Sequence, residues 1–376
     1  MQMVPFSTLG FDVSRLGFGC MRFPTMEQDG NAVIDREKAI AMLRYGIDHG
    51  INYVDTAYNY HNMESEIVTG LALKEGYRER VTLTTKLPTW LVNEKEDMDR
   101  LLDEQLKKLD VPYVDFYILH ALNKNSFQKM QSFGYQAFFE RALKDGRIKH
   151  PGFSFHDDHA TYMKILHDYD FELAQVQYNY LDIDFQAGIK GIKAAGKKGT
   201  AIVMMEPLRG GSLANPPQEV QEKIKNHKNG WSPVEWAFRH IADTKEGVTI
   251  LSGMSNMEQL KDNLSIFGKP DFGACPLGEE ELAFLKDLRE TYLARVPISC
   301  TGCNYCQPCP AQIKIPVLFK QFNEAVMLGH EERFKNNYST LIKEQGDPEE
   351  CLQCNQCESV CPQKLPIVQL LSSMGE

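Results

Sequence analysis

The 376-residue chain has no basic excess: 41 Lys and Arg stand against 51 Asp and Glu, a net charge of −10. That balance argues against a nucleic-acid partner, whose binding needs a basic face. No apolar run approaches the roughly 20 residues of a membrane span, so no membrane partner is expected. The opening MQMVPFSTLG lacks a charged segment followed by an apolar core. This predicts a cytoplasmic protein with reduced thiols, not a disulfide framework. Internal repeats and low-complexity linkers are also missing. Pro216-Pro217 and the segment Phe272 to Gly278 serve as loop punctuation, and the latter marks the expected boundary between residues 1–275 and 276–376. Outside two dense runs the only cysteines are Cys20 and Cys275, read as ordinary reduced thiols. What is there, 43% apolar and 24% charged residues, is ordinary soluble-protein composition. The length suggests about two domains.

The two runs, CTGCNYCQPCP from Cys300 and CLQCNQCESVCP from Cys351, hold eight of the ten cysteines. Thiolates three residues apart on a tight loop converge on a soft metal centre. The second run is C-x2-C-x2-C-x3-C-P, the bacterial ferredoxin spacing. The first is one residue shorter before its fourth cysteine, with only Gln307 and Pro308 between Cys306 and Cys309. Zinc sites usually pair two C-x2-C units without a third cysteine or trailing proline, so the pattern predicts two [4Fe-4S] clusters. In two-cluster ferredoxins the fourth cysteine of each run serves the other cluster. One set is then Cys300, Cys303, Cys306 and Cys361, and the other Cys351, Cys354, Cys357 and Cys309. Between the runs, a helix starting at Ile315-Pro316 is expected, which suits an α-helical ferredoxin-like domain. An amphipathic helix from Glu279 to Arg295, with Leu282, Leu285, Leu288 and Tyr292 on one face, precedes it.

Residues 1–275 alternate short β-rich runs with helical patterns, the signature of a parallel sheet wrapped by helices. After an opening hairpin turning at Leu9-Gly10, strands are expected at Leu16–Gly19, Asn52–Asp55, Val81–Lys86, Asp115–Leu119, Gly152–Phe155, Leu173–Val176, Ala201–Met205 and Val248–Leu251. Helices fall between them, such as Arg36–His49 and Lys95–Leu109. Eight strand-helix units in about 250 residues is the size of a (β/α)8 barrel, whose chemistry lies at the strands' C-terminal ends. Those ends are polar: Asp55, Lys86, His120, Ser154, Gln175, Glu206 and Ser252-Gly253. Tyr60 follows Asp55 by five residues in DTAYNY. A tyrosine can give a proton to a carbonyl oxygen, but its ordinary pKa of about 10 makes it reluctant at neutral pH. A nearby Lys86 cation would lower that value. Asp55 would orient the lysine, and His120 would hydrogen-bond the carbonyl. The reaction class is hydride transfer to or from a carbonyl. Trp90, Tyr58 and His156 are pocket candidates on the same loops, each also readable as ordinary packing or loop residues.

Asp55, Tyr60, Lys86 in TTKL and His120 in DFYILHALN resemble the tetrad of the aldo/keto reductases. GFSFH, QVQYNYLD, MEPLRGG and LSGMSN extend the resemblance to nearly the whole chain. With the cysteine runs, the likeness is to the iron-sulfur-containing branch of that family. It implies a TIM barrel that binds a nicotinamide dinucleotide. Ser154 and Gln175 match carboxamide-binding positions, and Met205 stands where a tyrosine usually stacks on the ring. Leu208, Arg209 and Gly210 match the pyrophosphate loop. Gly253, Met254, Ser255, Gln259 and Asn263 match the segment around the adenosine end. Gly253 and Gln259 replace the basic pair that typically grips a 2′-phosphate, which favours NAD over NADP. The expected activity is reduction of an aldehyde or ketone, or the reverse oxidation of an alcohol, by NAD or NADP. Two alternatives stand beside it: a carbonyl reductase fed through the clusters by a ferredoxin-like partner, and a non-catalytic redox-sensing protein with structural clusters.

Overall fold

The eight apolar runs are strands of a closed parallel barrel in the computed structural model, which describes residues 1–6 and 9–374. The strands are β1 (Leu16–Gly19), β2 (Tyr53–Asp55), β3 (Thr82–Leu87), β4 (Val114–Leu122), β5 (Ile148–Phe155), β6 (Leu173–Gln177), β7 (Ala201–Met205) and β8 (Gly247–Ser252). They pair in chain order around the cylinder, closed by β8 against β1. Near-continuous burial along β1, β3, β4 and β8 follows from covering on both faces. β4 and β5 are longer than the sequence suggests. The expected strand starts at Gly152, yet His150 and Pro151 already pair with Phe116 and Tyr117. Proline in a central strand normally argues against one.

The intervening helices are α1 (Arg36–Asp48), α2 (Ser65–Ala72), α3 (Glu96–Leu109), α4 (Lys124–Ser132), α5 (Tyr135–Lys144), α6 (His159–Asp168) and α7 (Gly188–Lys198). α8 (Gln218–Asn226) and α9 (Pro233–Ala242) lie between β7 and β8, and α10 (Met257–Phe267) follows β8. α3 shows the local logic. Met98, Leu101, Gln105 and Leu109 are buried along one face, acidic residues open it and Lys107 and Lys108 close it, matching the helix dipole.

The opening hairpin pairs Met3–Pro5 with Asp12–Ser14. It sends Phe6 and Val13 into a core with Tyr53, Phe116, Leu173, Ala201 and Val248, the residues at or near the strand starts. Phe6 lies 4.8 Å from the Phe116 ring. Burying one such side chain stabilises by about 2 kcal/mol. This plug closes the N-terminal end of the barrel. A second hairpin, Thr25–Gln28 with Asn31–Ile34, is absent from the sequence reading. Asp29-Gly30 at its tip, with φ of 52° and 75°, is the Asp-Gly signal for a two-residue turn.

The chain forms two compact units, residues 1–210 with 235–278 and residues 211–234 with 279–376. In the second, α8 packs on α11 (Glu279–Ala294) through Lys223 and Asp287 at 2.8 Å, and His227 lies 4.2 Å from the Phe284 ring. Leu285, Leu288 and Tyr292 of α11 are buried, but Leu282 is 44% exposed. A three-residue step falls short of the 3.6-residue turn, so Leu282 rotates off the face its successors share. α12 (Ile315–Leu328) and α13 (Glu331–Gln345) surround a core of Ile298, Ile313, Leu318, Phe319, Leu341 and Ile367. Cys300, Cys306, Cys309, Cys351, Cys357 and Cys361 pack against it. Among the described residues, no helix is long and apolar enough to cross a membrane.

Candidate active site

Lys86 is the hub of the barrel mouth. β3 carries it inward, fully buried, and its Nζ donates to Asp55 Oδ1 at 2.6 Å, Thr56 O at 2.8 Å and Tyr60 OH at 3.2 Å. Asp55 ends the adjacent strand, in register with Thr84. The three bonds use all three ammonium protons. Tyr60 receives one of them, so its own hydroxyl proton is left to donate elsewhere. His120, from β4, stands edge-on to Tyr60 with ring centroids 6.0 Å apart, and its Nδ1 is buried without a partner. The four residues expected to act together are brought together.

Their electrostatics are dominated by burial. Burial pushes the Tyr60 hydroxyl above its usual range; Lys86 pulls it down and Asp55 pushes it up, and the net direction is upward. The sequence reading expects a lowered value. Lys86 does act in that direction, but desolvation is the larger effect. Tyr60 therefore keeps its proton at neutral pH. Burial raises the Asp55 carboxyl against the pull of Lys86. For Lys86, burial is outweighed by Asp55 and Tyr60, and the net direction is upward, so the ammonium is retained. Burial and the Lys86 charge hold His120 well below the ordinary histidine range, so it is neutral.

A polar network that sequence reasoning missed supports Lys86 from behind. Glu66 Oε1 accepts from Thr85 Oγ1 and Gln105 Nε2, both at 2.6 Å. Gln105 Nε2 also reaches Lys86 O at 3.0 Å, and Tyr117 OH donates to Gln105 Oε1 at 2.7 Å. The available signal was Gln105 itself, a polar residue on the apolar face of α3.

The other expected site residues divide. Ser154 and Gln175 lie side by side in register on β5 and β6. Ser154 Oγ accepts from Ala121 N at 2.7 Å, and Gln175 Oε1 is buried without a partner. Met205 and Leu208 are half-buried, Met254 is buried, and Gly210, Gly253 and Ser255 are exposed. Three are committed to internal bonds: Arg209 Nε donates to Asp182 Oδ2 at 3.0 Å, Gln259 Oε1 accepts from Ser255 N at 2.8 Å, and Asn263 Nδ2 donates to Ser252 Oγ at 3.0 Å. Trp90 sits 5.2 Å from the His120 ring. Tyr58 points away, donating to Glu104 at 3.0 Å. His156 meets Gln186 at 3.4 Å.

Residues 15–272 match the aldo/keto reductase family. The chain belongs to that family. Residues 299–365 of this aldo/keto reductase match the 4Fe-4S dicluster domain. A probable aldo-keto reductase of Glycine max is 26% identical over 339 residues, covering 79% of this chain and 90% of the relative. Methylglyoxal reductase YeaE of Escherichia coli is 30% identical over 125 residues, 33% of this chain and 42% of the relative. Among solved structures, the holo form of a Bacillus halodurans aldo-keto reductase is 24% identical with a TM-score of 0.64, covering 77% of this chain and 96% of its own. A Klebsiella pneumoniae aldo-keto reductase in complex with NADPH is 21% identical with a TM-score of 0.60, covering 77% and 95%. These likenesses bear out a closed barrel of the reductase fold, and the dicluster match bears out a cluster-type domain in the C-terminal part of the chain.

Proposed function

We propose that the barrel transfers hydride between a nicotinamide dinucleotide and an aldehyde or ketone, with Tyr60 as proton donor. The observation that carries this reading is the Lys86 ammonium bonded at once to Asp55, Thr56 and Tyr60. Tyr60, neutral and with its proton unspent, protonates the carbonyl oxygen as charge develops there. Lys86 stabilises the tyrosinate that remains, and Asp55 keeps the lysine charged. His120, held neutral, hydrogen-bonds the same oxygen and fixes its direction. Trp90 beside His120 walls the substrate position.

The residues present fit the dinucleotide. The buried, unpartnered Gln175 Oε1 beside Ser154 offers a polar pair for a carboxamide, and Met205 offers an apolar surface for the ring. Leu208, Arg209, Gly210, Gly253, Met254, Ser255, Gln259 and Asn263 line the remaining path. When bound, the nicotinamide supplies the hydride. Lacking a basic residue at 253 or 259, the path suits NAD better than NADP; the Klebsiella neighbour was solved with NADPH.

The eight clustered thiols fit two [4Fe-4S] groups. Cys300, Cys303, Cys306 and Cys361 line one cavity, and Cys309, Cys351, Cys354 and Cys357 line a second together with Cys306. Function is thus divided between a catalytic segment, 1–275, and an electron-transfer segment, 276–376. The clusters would exchange electrons with a ferredoxin-like protein. Turnover of carbonyl compounds with NADH and NADPH by Tyr60→Phe tests the barrel reading; undiminished turnover removes it.

A further inference from the structure

Glu206 stands at the barrel mouth with no part in the reaction proposed above. It follows β7 with φ of 59°, a conformation a residue with a side chain rarely adopts. Asn179, fully buried, holds it there: Nδ2 donates to Glu206 O at 3.2 Å, while Oδ1 accepts from Leu181 N at 3.0 Å and Asp182 N at 2.9 Å. Arg209 N donates to Glu206 O at 3.1 Å, closing a tight turn. The turn brings the carboxylate back onto its own loop, where Oε2 accepts from the Gly210 amide. Arg209 and Gly210 are both left-handed, with φ of 47° and 67°. Successive amides in such turns form a concavity that binds anions. Here the chain's own carboxylate takes the Gly210 amide, while the Arg209 amide is spent on Glu206 O.

A cation from another part of the chain, Arg22, reaches the same loop. Its stem lies against Gly253, where an added Cβ would meet Arg22 Cδ at 2.9 Å and Cγ at 3.0 Å. The missing side chain at 253 is what gives the arginine this path. At the other end, Nη2 lies 3.5 Å from where a Gly210 Cβ would stand, and Glu206 Oε2 lies 3.9 Å from the same point. Guanidinium and carboxylate therefore flank one loop, while Arg209 is engaged by Asp182.

We infer that Glu206 sets the dinucleotide affinity of this barrel as an internal competitor. It holds the Gly210 amide that a diphosphate would take, and it leaves that amide toward Arg22 when a dinucleotide seats. This rests on the reading that the dinucleotide runs along 208–210. Displacing the carboxylate from the amide and seating a diphosphate near it costs like-charge repulsion that a neutral residue would not impose. Since NADH and NADPH share the diphosphate, the effect is the same on both.

Glu206→Gln keeps the shape and removes the charge; Glu206→Ser removes the reach as well. In full-length, cluster-containing protein, each is expected to tighten NADH and NADPH binding about tenfold by equilibrium fluorescence titration, equivalent to about 1.4 kcal/mol. Inorganic pyrophosphate should displace NADH from both variants at correspondingly lower concentration. Unchanged or weaker affinity in either folded variant overturns the inference, as does tightening of NADPH alone, which would place the carboxylate at the 2′-phosphate. If neither the unaltered protein nor the variants bind a dinucleotide, the underlying reading fails instead, and the inference with it.

Discussion

Lys86 Nζ donates to the Tyr60 hydroxyl at 3.2 Å, so this bond does not spend the tyrosine's own proton. The bond joins a residue inside a strand to one on a loop 26 positions earlier. It gives the pair a division of labour: the lysine supplies fixed charge and the tyrosine supplies the mobile proton.

Replacing Tyr60 by Phe removes that proton and little packing. We expect kcat for carbonyl reduction to fall by about 10²–10⁴-fold, with the melting temperature nearly unchanged. Because Tyr60 is pushed above its ordinary value, reduction by the unaltered enzyme should stay flat through neutral pH on this limb and decline only under alkaline conditions. Alcohol oxidation, which needs the tyrosinate, should rise with pH. A pH–rate profile in both directions checks the sign.

Asp55 and Lys86 side chains are 3% and 1% exposed, 2.6 Å apart. Removing either partner leaves an uncompensated buried charge, costing about 3–5 kcal/mol. Lys86→Met and Asp55→Asn should each destabilise the barrel in urea unfolding. The double variant should recover much of that loss while remaining inactive. Additive losses in the double variant would show that the two charges are not coupled.

His240 is half-buried, stacked 5.3 Å from Tyr178 with its Nε2 buried and without a hydrogen-bond partner, and desolvation lowers its pKa to about 4. Unfolded, it titrates near the ordinary value of about 6.5. Between those values the unfolded chain holds a proton that the folded chain refuses, so stability falls as pH drops from about 6.5 toward 4. His240→Phe should flatten that part of the stability–pH curve, measured by denaturant unfolding at several pH values. An unchanged slope would remove His240 as a cause.

Purified anaerobically, the protein should carry about eight iron and eight acid-labile sulfide per chain, as two cubanes require. The crossed assignment has a sharper test. Cys303→Ser and Cys361→Ser, from different runs, should each lose about four iron, and the double variant no more than either. Loss of nearly all iron in the double variant would put the two cysteines on different clusters.

Much of this molecule was legible in one dimension. The eight strands are short, apolar and separated by amphipathic helices, and that periodicity survives whatever packs against it. Asp55, Lys86 and His120 could be placed at strand ends because a barrel sends its strand ends to one face. The cysteine spacings are local, set by loop reach alone. Three features were hidden. The Thr25–Ile34 hairpin was signalled only by Asp29-Gly30 and is exposed along much of its length, without an apolar pattern. The support beneath Lys86 joins Glu66, Thr85, Gln105 and Tyr117, whose contacts span up to 39 positions. Glu206 was visible as a strand-end acid, but not as the ligand of its own loop.

Sequence alone therefore determined the class of fold, the identity of the reactive groups and the composition of the cysteine runs, because each depends on residue type and short-range spacing. Tertiary structure decided the protonation of Tyr60 and the partner of Glu206. The direction of a pKa is a balance between desolvation and charge, and both depend on how deeply the closed barrel buries a side chain and what it sets within a few ångströms. That balance turned Tyr60 from an expected lowered acid into one that keeps its proton.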